Sequence, residues 1–175
     1  NADWGLGLAQ RRITISTVGL PKQIERLAGE GLQITLALSL HAPTDTLRRE
    51  LIPWAEGIPL PRLIEACLFY RSKTRREITF EYCLLEDIND HPTQAAELAE
   101  LAIELDAHVN LLIYNPVPGL PYTRPSRNRA ITFLRLLRQK GAKAHLRESR
   151  GLEAEAACGQ LRRRTDQLAD SDPDE

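Results

Sequence analysis

Two periods alternate along this chain. A period of two runs through Ile34 to His41. Ile34, Leu36, Leu38 and Leu40 share one side of that stretch, and Thr35, Ala37, Ser39 and His41 share the other. A period of 3.6 runs through Leu60, Leu63, Ile64, Cys67 and Leu68, and again through Ala95, Leu98, Ala99, Ala102 and Ile103. These spacings predict strands over 12–16, 34–41, 78–85 and 109–114, with one more short strand at 143–147. They predict helices over 21–30, from Leu60, from Ala95, and through Ala130, Phe133, Leu134 and Leu137. Pro21 suits the first turn of its helix, Gly31 its stop, and Ser126 an N-cap. Pro43-Thr44-Asp45 signals the start of a short helical turn over 47–50. The three prolines and one glycine between Asn115 and Pro121 force an irregular loop. Strand and helix alternating four times marks an α/β domain with parallel strands. Four such units make half of a closed eight-stranded barrel or part of an open sheet. Either leaves an unpaired edge at the first strand.

Composition narrows the class. The 175 residues suffice for one domain with a sizeable core, and 42% hydrophobic with 27% charged residues fits a soluble globular protein. No apolar run is long enough to cross a bilayer and no basic-then-apolar leader opens the chain, so no membrane partner and a cytoplasmic location are expected. The sequence has no methionine, so residue 1 is not a translation start and a fragment is expected. Three widely spaced cysteines argue against a disulfide framework and for a reducing compartment. Their spacing matches no zinc pattern, and there is no phosphate-cradling glycine loop and no Gly-x-Ser-x-Gly. The net charge of −1 conceals a basic block of +9 between Arg124 and Arg164, flanked by −5 before it and −5 in the tail from Thr165. Such a block is either a footprint for a polyanion or a solvated helix face.

Polar residues recur at the strand ends: Ser16, then Ser39 and His41, then Asn115. Ligands of parallel α/β folds bind at those ends, in loops built by strand-to-helix connections. Each residue also has an ordinary reading, Ser16 and Asn115 as turn formers and His41 as a cap on the next helix. Glu81 shares a side of its strand with Thr79 and Cys83, where a carboxylate would need a partner, and it receives no role. Cys67 lies on a helix stripe and Cys83 on a strand, and both are expected in the core. Cys158 sits among Ala156, Ala157 and Gly159, with nothing bulky beside its sulfur. That collar suits either a thiol that approaches another molecule or a small hydrophobe filling a gap.

Six segments together resemble one family. They are Arg11–Gly19, Ser39-Leu40-His41-Ala42-Pro43, Arg48–Pro53, Ile78–Tyr82, Asn110–Pro116 and Ser149 through Leu161. In this order they resemble the radical SAM RNA methyltransferases of the RlmN type, above all in Ala156-Ala157-Cys158-Gly159-Gln160-Leu161. The resemblance implies an α/β fold, the C-terminal part of a partial (β/α)6 TIM-like barrel truncated at its N-terminus. It implies residues 1–148 as partial barrel, 149–164 as catalytic cysteine loop and basic end, and 165–175 as a disordered acidic tail. It implies S-adenosylmethionine contacts at Ser16, Ser39, Leu40, His41 and Asn115, and it makes Cys158 the catalytic cysteine that becomes S-methylated. The family activity it implies is methylation of adenine C2 in 23S rRNA and tRNA by a monomer. A carbon radical tethered to the cysteine sulfur adds to a base carbon too electron-poor for ordinary displacement, and the tether supplies proximity. An RNA substrate suits the basic block.

The departures are as informative. The family's three-cysteine motif for a [4Fe-4S] cluster, its Gly-Glu-Pro motif and its second catalytic cysteine are absent from this sequence. No metal ligand is therefore assigned here, and these 175 residues alone are expected to be inactive. Two other readings remain: an adenine-C8 methyltransferase of the same superfamily, and an inert RNA-binding remnant.

Overall fold

The computed structural model describes residues 8–147. Five strands form one all-parallel sheet in sequence order: β1 (Thr14–Thr17), β2 (Thr35–Ser39), β3 (Ile78–Leu84), β4 (His108–Ile113) and β5 (Lys143–Arg147). The helices are α1 (Pro21–Gly29), α2 (Asp45–Leu51), α3 (Leu60–Thr74), α4 (Pro92–Glu104) and α5 (Arg127–Gln139). The expected fifth strand is present. The first begins two residues later than the pattern predicts, because Gln10–Arg12 close a 3-10 turn instead.

The period-two pattern sorts the sheet into two unlike faces. Leu36, Leu38, Ile78, Phe80, Tyr82, Leu84, Val109, Leu111 and Ala144 are buried against the helices. Ile24 and Ala28 of α1 pack on that side, with Leu63, Cys67 and Tyr70 of α3, Leu98 of α4, and Phe133 and Leu137 of α5. Tyr82 and Phe133 stack with ring centroids 5.6 Å apart. Cys67 is fully buried in this core, as its helix stripe predicts.

The opposite face is polar. Cα register places Ser16 beside Ala37, Ala37 beside Thr79, and Thr79 beside His108. One same-face step up, Ser39, Glu81, Asn110 and His145 form a second row. Above it stand Cys83, Leu112 and Arg147. The sheet is therefore greasy toward its helices and polar on its other side. That is how a barrel wall is built when the interior holds a ligand. Cys83 sits on this polar face, half-buried, rather than in the core between sheet and helices.

Local chemistry sets the helix ends. Pro21 occupies the first turn of α1. The Thr44 hydroxyl accepts from the Leu47 N–H and the Ser126 hydroxyl from the Arg129 N–H. Asp45 reaches further, accepting from the Leu60 N–H at 2.6 Å and so tying the start of α3 to the start of α2. Gly19, at the turn out of β1, has φ +93, and a Cβ there would lie 2.8 Å from Leu38 Cδ1 and 2.8 Å from Leu63 Cδ1. The turn thus needs a glycine both for its backbone and for the close approach of β2 and α3. Gly19→Ala is expected to destabilise the fold by at least about 2 kcal/mol. The denaturant midpoint measures this, and an unchanged midpoint refutes the packing argument.

Candidate functional site

All five strands run the same way, so their C-terminal ends share one edge of the sheet. Ser16 is the penultimate residue of β1 and is exposed. Ser39 ends β2, His41 follows it by two residues, and Asn115 follows β4. The expected strand-end residues are therefore brought to one rim, with Ser16 one same-face step below Ser39 in the register.

The exit from β2 is a tight, strained turn. His41 has φ 56, a left-handed conformation uncommon outside glycine, though histidine, like asparagine and aspartate, adopts it more readily than most. The Ala42 N–H donates to the Leu40 carbonyl at 2.8 Å, and the N–H groups of Leu40 and His41 both reach the Glu81 carbonyl of β3. Such strain persists only where the surroundings over-determine it, and here they do. His41 Nδ1 accepts from the Cys83 N–H at 3.0 Å. The fully buried Asn89 donates to the His41 carbonyl at 2.9 Å and to the Cys83 carbonyl at 2.7 Å. Its own oxygen accepts from the Leu85 N–H at 2.7 Å. Tyr82 donates its hydroxyl to the Asn89 carbonyl. The loop between β3 and α4 thus carries the residue that locks β2 to β3.

This packing fixes the protonation of His41. Burial, with the Arg48 guanidinium nearby, pulls its pKa down to about 4. The ring is neutral at physiological pH, with Nδ1 accepting and the proton therefore on Nε2. Arg48 is itself fully buried and donates to the Val18 carbonyl, holding the segment that leaves β1. Its Nε and Nη1 are buried with no hydrogen-bond partner among the described residues. The Leu40 side chain points the other way, fully buried among the core residues, so only its backbone borders the rim.

Asn115 is held at the opposite end of the rim. Its Oδ1 accepts from Arg124, which also donates to the Tyr114 carbonyl at 3.2 Å. The Glu86 N–H donates to the Thr123 carbonyl, which anchors the far end of the proline-rich loop to the exit of β3.

Two residues that received no role from the sequence complete the polar face. Glu81 is half-buried, and Asn110 Nδ2 donates to its Oε2 at 2.7 Å. Burial pushes the Glu81 carboxyl above its usual range, opposed by the Asn110 hydrogen bond and by Arg147. The Asn110 Oδ1 is buried with no partner among the described residues. Asn110 alternates with Val109 and Leu111 in β4, so its side of the strand was readable from the period; its partnership with Glu81 was not.

The described residues do not fit an iron–sulfur cluster. Cys67 lies among the core side chains and Cys83 on the polar face. Burial pushes the two thiols up to about 12 and about 11, far from the thiolates such a cluster needs. Asp87, Asp90 and His91 come close enough together to share an ion. However, Arg129 already spans the two carboxylates at 2.8 and 2.7 Å. Part of the basic block is likewise engaged within the fold, Arg124 on Asn115, Arg129 on Asp90, and Arg138 on the Ala144 carbonyl. Cys158, with the rest of 149–164 and the tail 165–175, lies outside the described residues.

No family model matches the chain, but individual relatives do. It is 52% identical over 157 residues to a probable dual-specificity RNA methyltransferase RlmN of Thermosynechococcus vestitus, covering 90% of this chain and 47% of that protein. It is 51% identical over 165 residues to the protein of the same name from Gloeobacter violaceus, covering 94% and 47%. The chain belongs to the RlmN family. It spans about half the length of the curated RlmN proteins it matches. A crystal structure of a radical SAM methyltransferase from Sphaerobacter thermophilus superimposes with TM-score 0.84 at 47% identity, covering 89% of this chain and 46% of that one. Streptococcus suis SuiB bound to S-adenosylmethionine, at TM-score 0.59 and 19% identity, shares the fold alone. The parallel sheet with helices on one face is accordingly part of a radical SAM barrel, as the RlmN resemblance implies.

The neutral, half-buried His41 makes stability depend on pH with a definite sign. Its folded pKa lies below the unfolded value, so the unfolded chain binds the extra proton between about pH 6.5 and 4. Stability is lost as pH falls through that window. The loss is expected to be on the order of 2–3 kcal/mol. Unfolding measured at both pH values should show wild type losing more than His41→Gln, and equal losses refute the neutral ring. Asn89→Ala, which strips partners from two carbonyls and one N–H, is expected to cost about 3 kcal/mol or more. Denaturant unfolding measures that, and a cost below about 1 kcal/mol argues against the clamp.

Proposed function

We propose that this chain supplies the S-adenosylmethionine-holding rim and the catalytic cysteine of an RNA methyltransferase that methylates C2 of adenine in 23S rRNA and tRNA. The observation that carries the reading is the gathering of Ser16, Ser39, His41 and Asn115 at one rim of a parallel barrel wall, in a chain about half identical to RlmN proteins. The rim offers hydroxyl groups from Ser16 and Ser39, a fixed N–H from the neutral His41, and the Asn115 amide. That set of uncharged donors and acceptors suits a nucleoside with an amino-acid tail.

S-Adenosylmethionine brings an activated methyl group when bound. Cys158 receives that methyl as a thioether and carries it to the base, so its small neighbours leave room for the adenine to approach. The arginines around it, Arg150 and Arg162 to Arg164, supply charge for RNA phosphates. The cluster that family chemistry requires has no ligands here, so these 175 residues by themselves are proposed to be inactive.

The test is a pair of substitutions in a full-length protein that contains this chain. Cys158→Ala should abolish methyl transfer to RNA while leaving S-adenosylmethionine affinity within twofold of wild type. Ser39→Ala should weaken that affinity several-fold. Mass spectrometry of the modified nucleoside should show 2-methyladenosine. A C8 product would replace the regiochemistry, and activity surviving Cys158→Ala would refute the assigned role.

A further inference from the structure

In the mid-sheet row Ser39, Glu81, Asn110, His145, the Glu81 carboxylate has so far been given no role. Glu81 is next to Ser39 in the β2–β3 register, and neighbouring strands are about 4.8 Å apart. A molecule touching the Ser39 side chain on the polar face therefore lies within reach of the Glu81 carboxylate. One oxygen of that carboxylate, Oε2, is held by Asn110 Nδ2 at 2.7 Å. No protein donor meets the other among the described residues. The neighbouring Asn110 Oδ1 is a buried acceptor with no partner among the described residues. The pair is thus short of protein donors: a half-buried carboxylate oxygen stands beside a buried amide oxygen that nothing satisfies among the described residues. A buried acceptor in that condition costs about 1–3 kcal/mol.

The surrounding charge selects the kind of donor. Arg147, on the polar face one same-face step above the row, already acts on the Glu81 charge. The carboxylate consequently needs neutral O–H groups more than a second cation. Neighbouring hydroxyls of a ribose are such groups, and an acidic side chain accepting from ribose hydroxyls is a recurrent solution in nucleotide-binding α/β folds.

We propose that Glu81 is a ligand-binding residue, its carboxylate fixed by Asn110 and accepting hydrogen bonds from the ribose hydroxyls of the nucleoside ligand held at Ser39. This assignment rests on the S-adenosylmethionine reading above and adds a contact to it. Asn110 acts through Glu81 and is a positioning residue.

The experiment is calorimetric binding to a full-length protein that contains this chain. The ligands are S-adenosylhomocysteine and its 2′-deoxy and 3′-deoxy forms, which need no turnover. Wild type should bind at least one deoxy form about tenfold more weakly than the parent ligand. Glu81→Gln should weaken the parent ligand about tenfold and should no longer distinguish it from that deoxy form. The wild-type comparison involves no substitution, so it stands even if Glu81→Gln fails to fold. Equal wild-type affinity for all three ligands overturns the assignment. So does a Glu81→Gln loss that is the same for every ligand. In both cases the S-adenosylmethionine reading survives. Wild type binding none of the three would bring down that reading, and the assignment with it.

Discussion

One buried side-chain amide decides the geometry of the rim. Where β2 and β3 stop pairing, their last carbonyls and N–H groups would be left without partners. Asn89 takes two carbonyls and one N–H into its own hydrogen bonds. The strained His41 turn follows from this, because its carbonyl is held from one side and its ring nitrogen from the other. A side chain so held cannot rotate to suit a ligand; the ligand must suit it. That is preorganisation, obtained from backbone groups that had to be satisfied in any case.

Much of the architecture was legible because it depends on local periodicity. The alternation Leu36, Leu38, Leu40 against Thr35, Ala37, Ser39 fixed which side of β2 would face the helices. The stripe Leu60, Leu63, Ile64 and Cys67 fixed the buried side of α3, whereas Leu68, its last predicted member, is exposed. Strand ends were less legible. His41 reads as the last residue of a strand by pattern, yet its backbone turns left-handed under a constraint from Asn89, which lies 48 residues later. Glu81 was visible as an unexplained carboxylate on a polar side. Its neighbour Asn110 was hidden because the contact joins different strands, and strand order is a tertiary fact. Cys83 illustrates the converse: an apolar residue type on a strand suggests core, but the face it occupies is set by Tyr82 and Leu84 on either side of it.

The basic block is a case where counting charges overstates what is free to act. Arg124, Arg129 and Arg138 serve the protein's own acceptors, shaping the Asn115 loop, the Asp87–Asp90 corner and the start of β5. An exposed ion pair contributes little to stability, but Asp90 is a buried carboxylate, and for such a group a fixed guanidinium is close to obligatory. The same arginine therefore keeps an apparent cation site closed.

The one-sided covering of the sheet has a further implication. A wall whose bare surface is mostly serine, threonine, glutamate, asparagine and histidine meets water at small cost, whereas a wall bare on its leucine side would stick to anything apolar. Apolar side chains meet solvent instead around the β1 edge of the sheet, at Ile13, Ile15, Val18 and Leu20.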